Sequence, residues 1–168
     1  VGRRGLSSAC IEGFMSSSAE HVAVIDADLQ HDERLLPQML DAFAEDASLD
    51  IVVGSRFVEG GGLGDWGKMR IAASNFAKSL SYMVVPQKVT DPMSGFFMVK
   101  RQAYEKIANK LNPSGFKIML EIAYHLRSNS FVELGYQFRP RERGKSKLSG
   151  DVIFDYLESL YELRFGRI

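Results

Sequence analysis

Cysteine is almost missing from this 168-residue chain: Cys10 stands alone, which excludes an internal disulfide framework and fits a reducing compartment. Histidine is scarce too, and His21, His31 and His125 lack metal-ligand spacing. No apolar run reaches the roughly 20 residues that a membrane-spanning helix needs, and no secretory leader is recognisable. Charge of one sign is not in excess either. Lys and Arg number 21 against 21 Asp and Glu, so no global field gathers nucleic acid. Repeats and low-complexity tracts are absent. What remains, 45% apolar and 25% charged, suits one domain long enough for its own hydrophobic core.

What is present begins with Val22-Ala-Val-Ile-Asp26-Ala-Asp28-Leu-Gln30-His-Asp32. A strand-like apolar stretch ends in two carboxylates one residue apart, followed by an amide and a third carboxylate. A buried strand that delivers hard oxygen ligands at its C-terminal tip can hold a divalent cation against a phosphate. Mg²⁺ or Mn²⁺ suits such a tip, because these ions take few protein carboxylates and complete their shell with substrate phosphate and water. A calcium-binding EF-hand loop would need glycine where His31 stands and a bidentate glutamate where Pro37 stands, so that reading fails. An aspartyl phosphatase opening has small or β-branched residues after its acids and fits Leu29-Gln30 poorly. The plain alternative is a strand end with solvated acids, since Asp is common in turns and at helix starts.

Periodicity predicts helices over about 5–17, 33–46, 67–84, 101–109, 116–128 and 151–165, and strands over about 22–26, 51–56, 96–99 and 131–138. Gly60-Gly-Gly-Leu-Gly64 reads as a loop too flexible for regular structure. Strands alternating with helices predict an α/β sheet with parallel elements. Ligands of such sheets sit beyond the strand C-termini, where Asp28 and Arg56 both fall.

Further segments carry chemistry. Arg56 ends a strand, and the i, i+4 spacing of Arg70 and Ser74 puts them on one helix face. Two guanidinium forks and a hydroxyl near a helix N-terminus match phosphate oxygens; as ordinary surface residues they would need no such role. Asp91, in a tight Asp-Pro turn before an apolar strand, would point into the cleft of Asp28 and orient the acceptor or a sugar hydroxyl, unless turn formation is its only purpose. Glu121 follows Lys117 at the spacing of a helical ion pair, or serves a substrate. Arg139-Pro-Arg141-Glu-Arg143-Gly-Lys145-Ser-Lys147 sets five cations in nine residues. Without aromatic interleaving it does not suit nucleic acid; a basic flap over a diphosphate, or against anionic lipid, explains it better. The last segment, about 151–168, carries Val152, Ile153, Tyr156, Leu157, Leu160, Tyr161 and Phe165 as an apolar stripe, for packing on the domain or for lying in a membrane interface.

Asp26-Ala-Asp-Leu-Gln30-His, Gly54-Ser-Arg56 with its glycine-rich loop, Arg70 and Ser74, Asp91-Pro-Met-Ser-Gly-Phe96, Gly115-Phe-Lys-Ile-Met-Leu-Glu121 and Arg141-Glu-Arg-Gly-Lys-Ser-Lys147 occur in that order. Together they resemble the GT-A type glycosyltransferases of family 2, in particular those acting on polyprenyl (dolichyl) phosphate, over nearly the whole chain. The resemblance implies a Rossmann-like α/β GT-A fold lacking its N-terminal portion, because such enzymes open with a nucleotide-binding strand and helix that have no counterpart before Val1. It implies inverting transfer from a nucleotide-sugar, GDP-mannose or a UDP-sugar, to a polyprenyl phosphate such as dolichyl or undecaprenyl phosphate.

By this likeness Asp28 and Gln30 would ligate Mg²⁺ or Mn²⁺, with Asp26 in support. Arg56, Arg70 and Ser74 would hold the lipid phosphate, and Arg143 and Lys145 the donor diphosphate. Asp28, Asp91 and Arg143 form the expected catalytic set, with Glu121 as a substrate contact. A phosphate monoester is already an anionic nucleophile, so such a site need only align it and stabilise the leaving diphosphate. The implied place is the cytoplasmic face of a membrane, some relatives continuing into transmembrane helices after a segment like 151–168. Two other outcomes stay open: a GT-A transferase with a polysaccharide acceptor, and a truncated non-catalytic module that binds phosphate or lipid.

Overall fold

A computed structural model describes residues 5–64, 66–85, 89–113, 117–126, 130–140 and 150–166, the stretch 150–155 by its backbone alone. Leu35, Met39 and Phe43 recur at helical spacing and are all buried along α2 (Leu35–Glu45). In chain order it lies among α1 (Leu6–Ser16), β1 (His21–Val24), β2 (Ile51–Ser55), α3 (Lys68–Ser81), β3 (Phe97–Lys100), α4 (Arg101–Glu105), α5 (Ile118–Leu126), β4 (Phe131–Gly135) and α6 (Gly150–Phe165). The helix expected over 101–109 breaks after Glu105, and a separate 3₁₀ turn follows at Ala108–Lys110.

The strands form one sheet in the order β1-β3-β2-β4. β2 and β4 pair in parallel, from Ile51 opposite Phe131 to Ser55 opposite Gly135. β3 lies between β1 and β2 and runs antiparallel to both. The expected parallel pairing is therefore met at one interface only. Alternation of strands and helices does not set strand direction. The chain leaves β2, passes through α3 and enters β3 at the same end of the sheet, Phe97 lying opposite Val53, so no crossover is needed there.

Successive residues of the central strands face opposite sides of the sheet. Ile51, Val53, Phe97 and Val99 join Phe14, Tyr104, Leu120 and Tyr156 in one core. Val52, Phe96 and Met98 join Leu35, Met39 and Phe43 in the other. The result is a helix–sheet–helix layering, with α2 on one face and α1, α4, α5 and α6 on the other.

The Gly60–Gly64 segment is more ordered than its composition predicts. Gly62 makes a parallel bridge with Gln137. Its N–H donates to the Tyr136 carbonyl at 3.1 Å, and the Phe138 N–H donates back to Gly62 at 3.0 Å. Positive φ at Gly60 (79°) and Gly64 (56°) lets the backbone turn into and out of that bridge. The C-terminal tips of β1, β2 and β4 thus share one rim of the sheet, and this loop lies along it.

Candidate functional site

β1 ends at Val24, so Asp26 and Asp28 stand in the loop beyond the rim. That loop turns through Leu29, whose φ of 63° is a left-handed conformation costing roughly 1–2 kcal/mol. Asp28 Oδ1 accepts the Gln30 N–H at 3.2 Å, which closes the turn. Gln30 is buried, and its Nε2 donates to the Arg139 carbonyl at 3.1 Å. The Arg139 N–H donates back to Gln30 at 2.9 Å. The carboxamide oxygen is the hard donor of the Gln30 side chain, and its chemistry suits a cation.

Asp32, the third acid, braces the loop. It accepts Arg34 Nε and Nη2 at 2.8 Å each and Arg139 Nη2 at 2.7 Å. The Arg34 hydrogen bonds, against a smaller effect of burial and with added help from the Arg34 and Arg139 charges, hold its carboxyl at about 2, below the ordinary 3.8. Arg139 Nη1 also donates to Glu33 at 2.8 Å. The strand extension that leads towards residues 141–149 is thereby clasped to the acidic loop.

His31 completes the clasp from inside. Its Nδ1 lies 2.7 Å from the Tyr136 hydroxyl and its Nε2 lies 3.4 Å from Asp26 Oδ2. Its ring packs among Phe96, Tyr136 and Phe138. Burial pushes the Tyr136 phenol up; the Arg56 charge works against this, while Asp91, Asp26 and Asp28 add to it. Both acids and Arg56 therefore lie within electrostatic reach of one phenol. Gly95 makes room for Asp26: a Cβ there would come within 2.8 Å of Asp26 Oδ2.

Beyond β2, the Arg56 Nε and Nη2 donate to Asp91 Oδ2 and Oδ1 at 2.7 Å each, and its backbone N–H reaches Oδ2 at 3.2 Å. Asp91 is 0% exposed. Expected in the cleft of Asp28, its carboxylate instead lies against Arg56. Burial disfavours the Arg56 charge, but the hydrogen bonds and charge of Asp91 outweigh it and hold the guanidinium above its ordinary value. Glu133 of β4 fixes the same turn, accepting the Thr90 N–H at 3.0 Å, the Thr90 hydroxyl at 2.8 Å and the Asp91 N–H at 3.2 Å.

Arg56, Arg70 and Ser74 meet in a cavity of about 230 Å³ together with Trp66; Ala73, Phe76, Ala77, Leu80, Met93, Tyr156 and Leu157 supply its apolar walls. The Tyr156 hydroxyl donates to the Ala77 carbonyl at 2.7 Å and ties α6 to α3. Asp26 lines a neighbouring cavity of about 180 Å³ with Pro92, Ser94, Gly95 and Lys117. Met93 lines both, so the acidic loop and the arginine-lined cavity share a wall. Glu121 is not brought to either. It lines a third cavity of about 440 Å³ with Lys110, His125 and Glu162, and its carboxylate accepts the Asn112 N–H at 2.6 Å. Arg143 and Lys145 lie outside the described residues.

Among the described residues no group of three or more His, Cys, Asp or Glu side chains is placed to hold a metal ion. Asp28 and Gln30 do offer hard oxygen donors of the kind Mg²⁺ or Mn²⁺ takes when phosphate and water fill the remaining positions, so the donor set fits such an ion.

Trp66, Tyr136 and Glu133 escaped the sequence reading, and His31 was given no part in the site. Faint signals existed: a sole tryptophan just after the glycine-rich loop, and a glutamate interrupting an apolar strand.

The family model described as glycosyl transferase family 2 matches residues 1–108. A dolichol-phosphate mannosyltransferase of Pyrococcus furiosus is 39% identical over 162 residues, covering 95% of this chain and 45% of that protein. The enzyme of the same name from Mycosarcoma maydis is 34% identical over 171 residues, 98% of this chain and 57% of that one. The chain thus spans about half the length of these relatives. A crystal structure of glucosyl-3-phosphoglycerate synthase from Mycobacterium tuberculosis with Mn²⁺ and UDP-glucose superposes with a TM-score of 0.71 at 17% identity, over 98% of this chain and 56% of that one. The α/β fold is accordingly of the GT-A type expected from the sequence.

Proposed function

Because the chain belongs to glycosyl transferase family 2, we propose that the protein moves a sugar from a nucleotide-sugar, GDP-mannose or a UDP-sugar, to a polyprenyl phosphate, with inversion at the anomeric carbon. One observation carries the acceptor: two guanidinium groups and a hydroxyl lie in a cavity whose other walls are apolar. A phosphomonoester suits the first and a prenyl chain the second. A polysaccharide would have to bury its hydroxyls against Phe76, Leu80 and Leu157 without partners. The names of the mannosyltransferase relatives point the same way.

The residues divide the work. Arg70, Ser74 and Arg56 hold the acceptor phosphate, and Asp91 acts through Arg56 by fixing its orientation. Asp28 and Gln30, with Asp26 beside them, would hold Mg²⁺ or Mn²⁺, which would offset charge developing on the leaving diphosphate. The Mn²⁺ and UDP-glucose of the structurally similar synthase support a divalent cation. Arg143 and Lys145 are assigned to the donor diphosphate on family likeness. Glu121, in its own cavity, holds the turn at Asn112.

A membrane surface completes the reading. Met69 and Phe76 of α3 and Leu157, Tyr161 and Phe165 of α6 are exposed apolar side chains, and Phe76 and Leu157 also line the acceptor cavity. Among the described residues no helix is long and apolar enough to cross a membrane; this face would lie on the cytoplasmic headgroup layer instead. Transfer of labelled sugar to a polyprenyl phosphate tests the proposal. Product should form with the phosphate and not with the free prenol, and Arg70→Ala should lower the rate at least about tenfold, the loss of one charge-assisted contact. Equal transfer to the free prenol would overturn it.

A further inference from the structure

Trp66 is the sole tryptophan of the chain, and the proposed function leaves it without a role. Its ring centroid lies 3.8 Å from Arg70 Cζ and 4.8 Å from Arg56 Cζ. Phe138 packs edge-on against it at 5.8 Å. Its Nε1 is buried and has no hydrogen-bond partner among the described residues. We propose that Trp66 organises the phosphate end of the acceptor cavity: its indole face holds Arg56 and Arg70 together, and its N–H donates to the bound monoester. This rests on the reading of Arg56, Arg70 and Ser74 as the phosphate site.

Two guanidinium groups against one small cavity repel each other. Asp91 neutralises Arg56, which leaves Arg56, Arg70 and Asp91 with a summed formal charge of one positive unit. The negative face of an aromatic ring attracts cations without adding formal charge. An aromatic placed against both guanidiniums therefore lowers their repulsion and keeps the site cationic for a dianion. Stacking also engages the flat face of a guanidinium, so its in-plane N–H groups stay directed at oxygen acceptors. The indole N–H is a donor only, so it complements a phosphate oxygen.

The chain itself serves for the test, with farnesyl phosphate as probe and farnesol as control. Because there is one tryptophan, its fluorescence reports on this site alone. Farnesyl phosphate should change the emission saturably, and farnesol should not. By calorimetry, Trp66→Phe keeps a ring but lacks the N–H and should bind about tenfold more weakly; Trp66→Leu lacks both and should bind about a hundredfold more weakly. Wild-type affinity in Trp66→Phe overturns the proposal, whether or not Trp66→Leu folds, and so does binding without any change in emission. Arg70→Ala separates the two ideas. If it binds farnesyl phosphate like wild type, the phosphate site itself is misplaced. If it binds weakly while the Trp66 variants bind normally, only the role given to Trp66 falls.

Discussion

Arg56 and Asp91 form a bidentate ion pair, both contacts at 2.7 Å, with side chains only 7% and 1% exposed. Such a pair adds little net stability over an apolar substitute, but splitting it leaves one charge buried without a partner. It also presents the remaining edge of Arg56 in a set direction, which is what a phosphate site needs.

Asp91→Ala should therefore destabilise the fold by about 3–5 kcal/mol, read as a fall in the urea midpoint. Binding of farnesyl phosphate should weaken with it, because Arg56 loses its orientation. An unchanged midpoint would mean that the pair contributes nothing in solution.

Asp28 is only half-buried at the turn of the acidic loop. Asp28→Ala should keep the unfolding free energy within about 1 kcal/mol of wild type. It should lose Mn²⁺-dependent binding of a nucleoside diphosphate, measured by calorimetry. Wild-type binding in that variant would remove the cation from this site.

Gly95→Ala tests Asp26 without touching its charge. The added Cβ would meet Asp26 Oδ2 at 2.8 Å, so the carboxylate must turn away, at a structural cost of about 1–3 kcal/mol or less. Nucleoside diphosphate binding should weaken while acceptor binding holds. Equal loss of both would place Asp26 in a purely structural part.

Acid should open the clasp between the acidic loop and the β4 extension. The Asp32 carboxyl is lowered from 3.8 to about 2 in the fold. A lowered acid stabilises the folded state above its unfolded value, and that contribution disappears as pH falls through this window. The urea midpoint of wild type should drop between those values. Asp32→Asn has no such carboxylate to protonate, so its acid limb should be flatter. Coincident acid limbs would show that Arg34 and Arg139 do not hold Asp32 in solution.

The exposed aromatics of α3 and α6 should matter for lipid and not for folding. Phe76→Ser with Phe165→Ser should reduce sedimentation with anionic vesicles about tenfold or more, given the apolar area they remove from the interface. Retained vesicle binding would move the membrane face elsewhere.

Local pattern was enough for much of this protein. Helical and strand periodicity placed nearly every element within a few residues, because that signal depends on neighbours in the chain. The same logic put Asp26 and Asp28 at a strand tip and Arg70 and Ser74 on one helix face. It failed where composition stood in for contact: five residues rich in glycine read as loose, yet Gly62 is fastened to Gln137.

Tertiary structure decided what those residues face. β3 enters between β1 and β2 and reverses the expected pairing. Asp91 turns to Arg56, 35 positions away; His31 meets Tyr136 across 105, and Arg139 reaches Asp32 across 107. Glu121 goes to a cavity of its own, and Trp66 gains two arginines. Each of these outcomes is a meeting of segments distant in the chain, fixed by which faces of sheet and helix are buried together. Periodicity states that a side chain points inward, but only packing selects its partner.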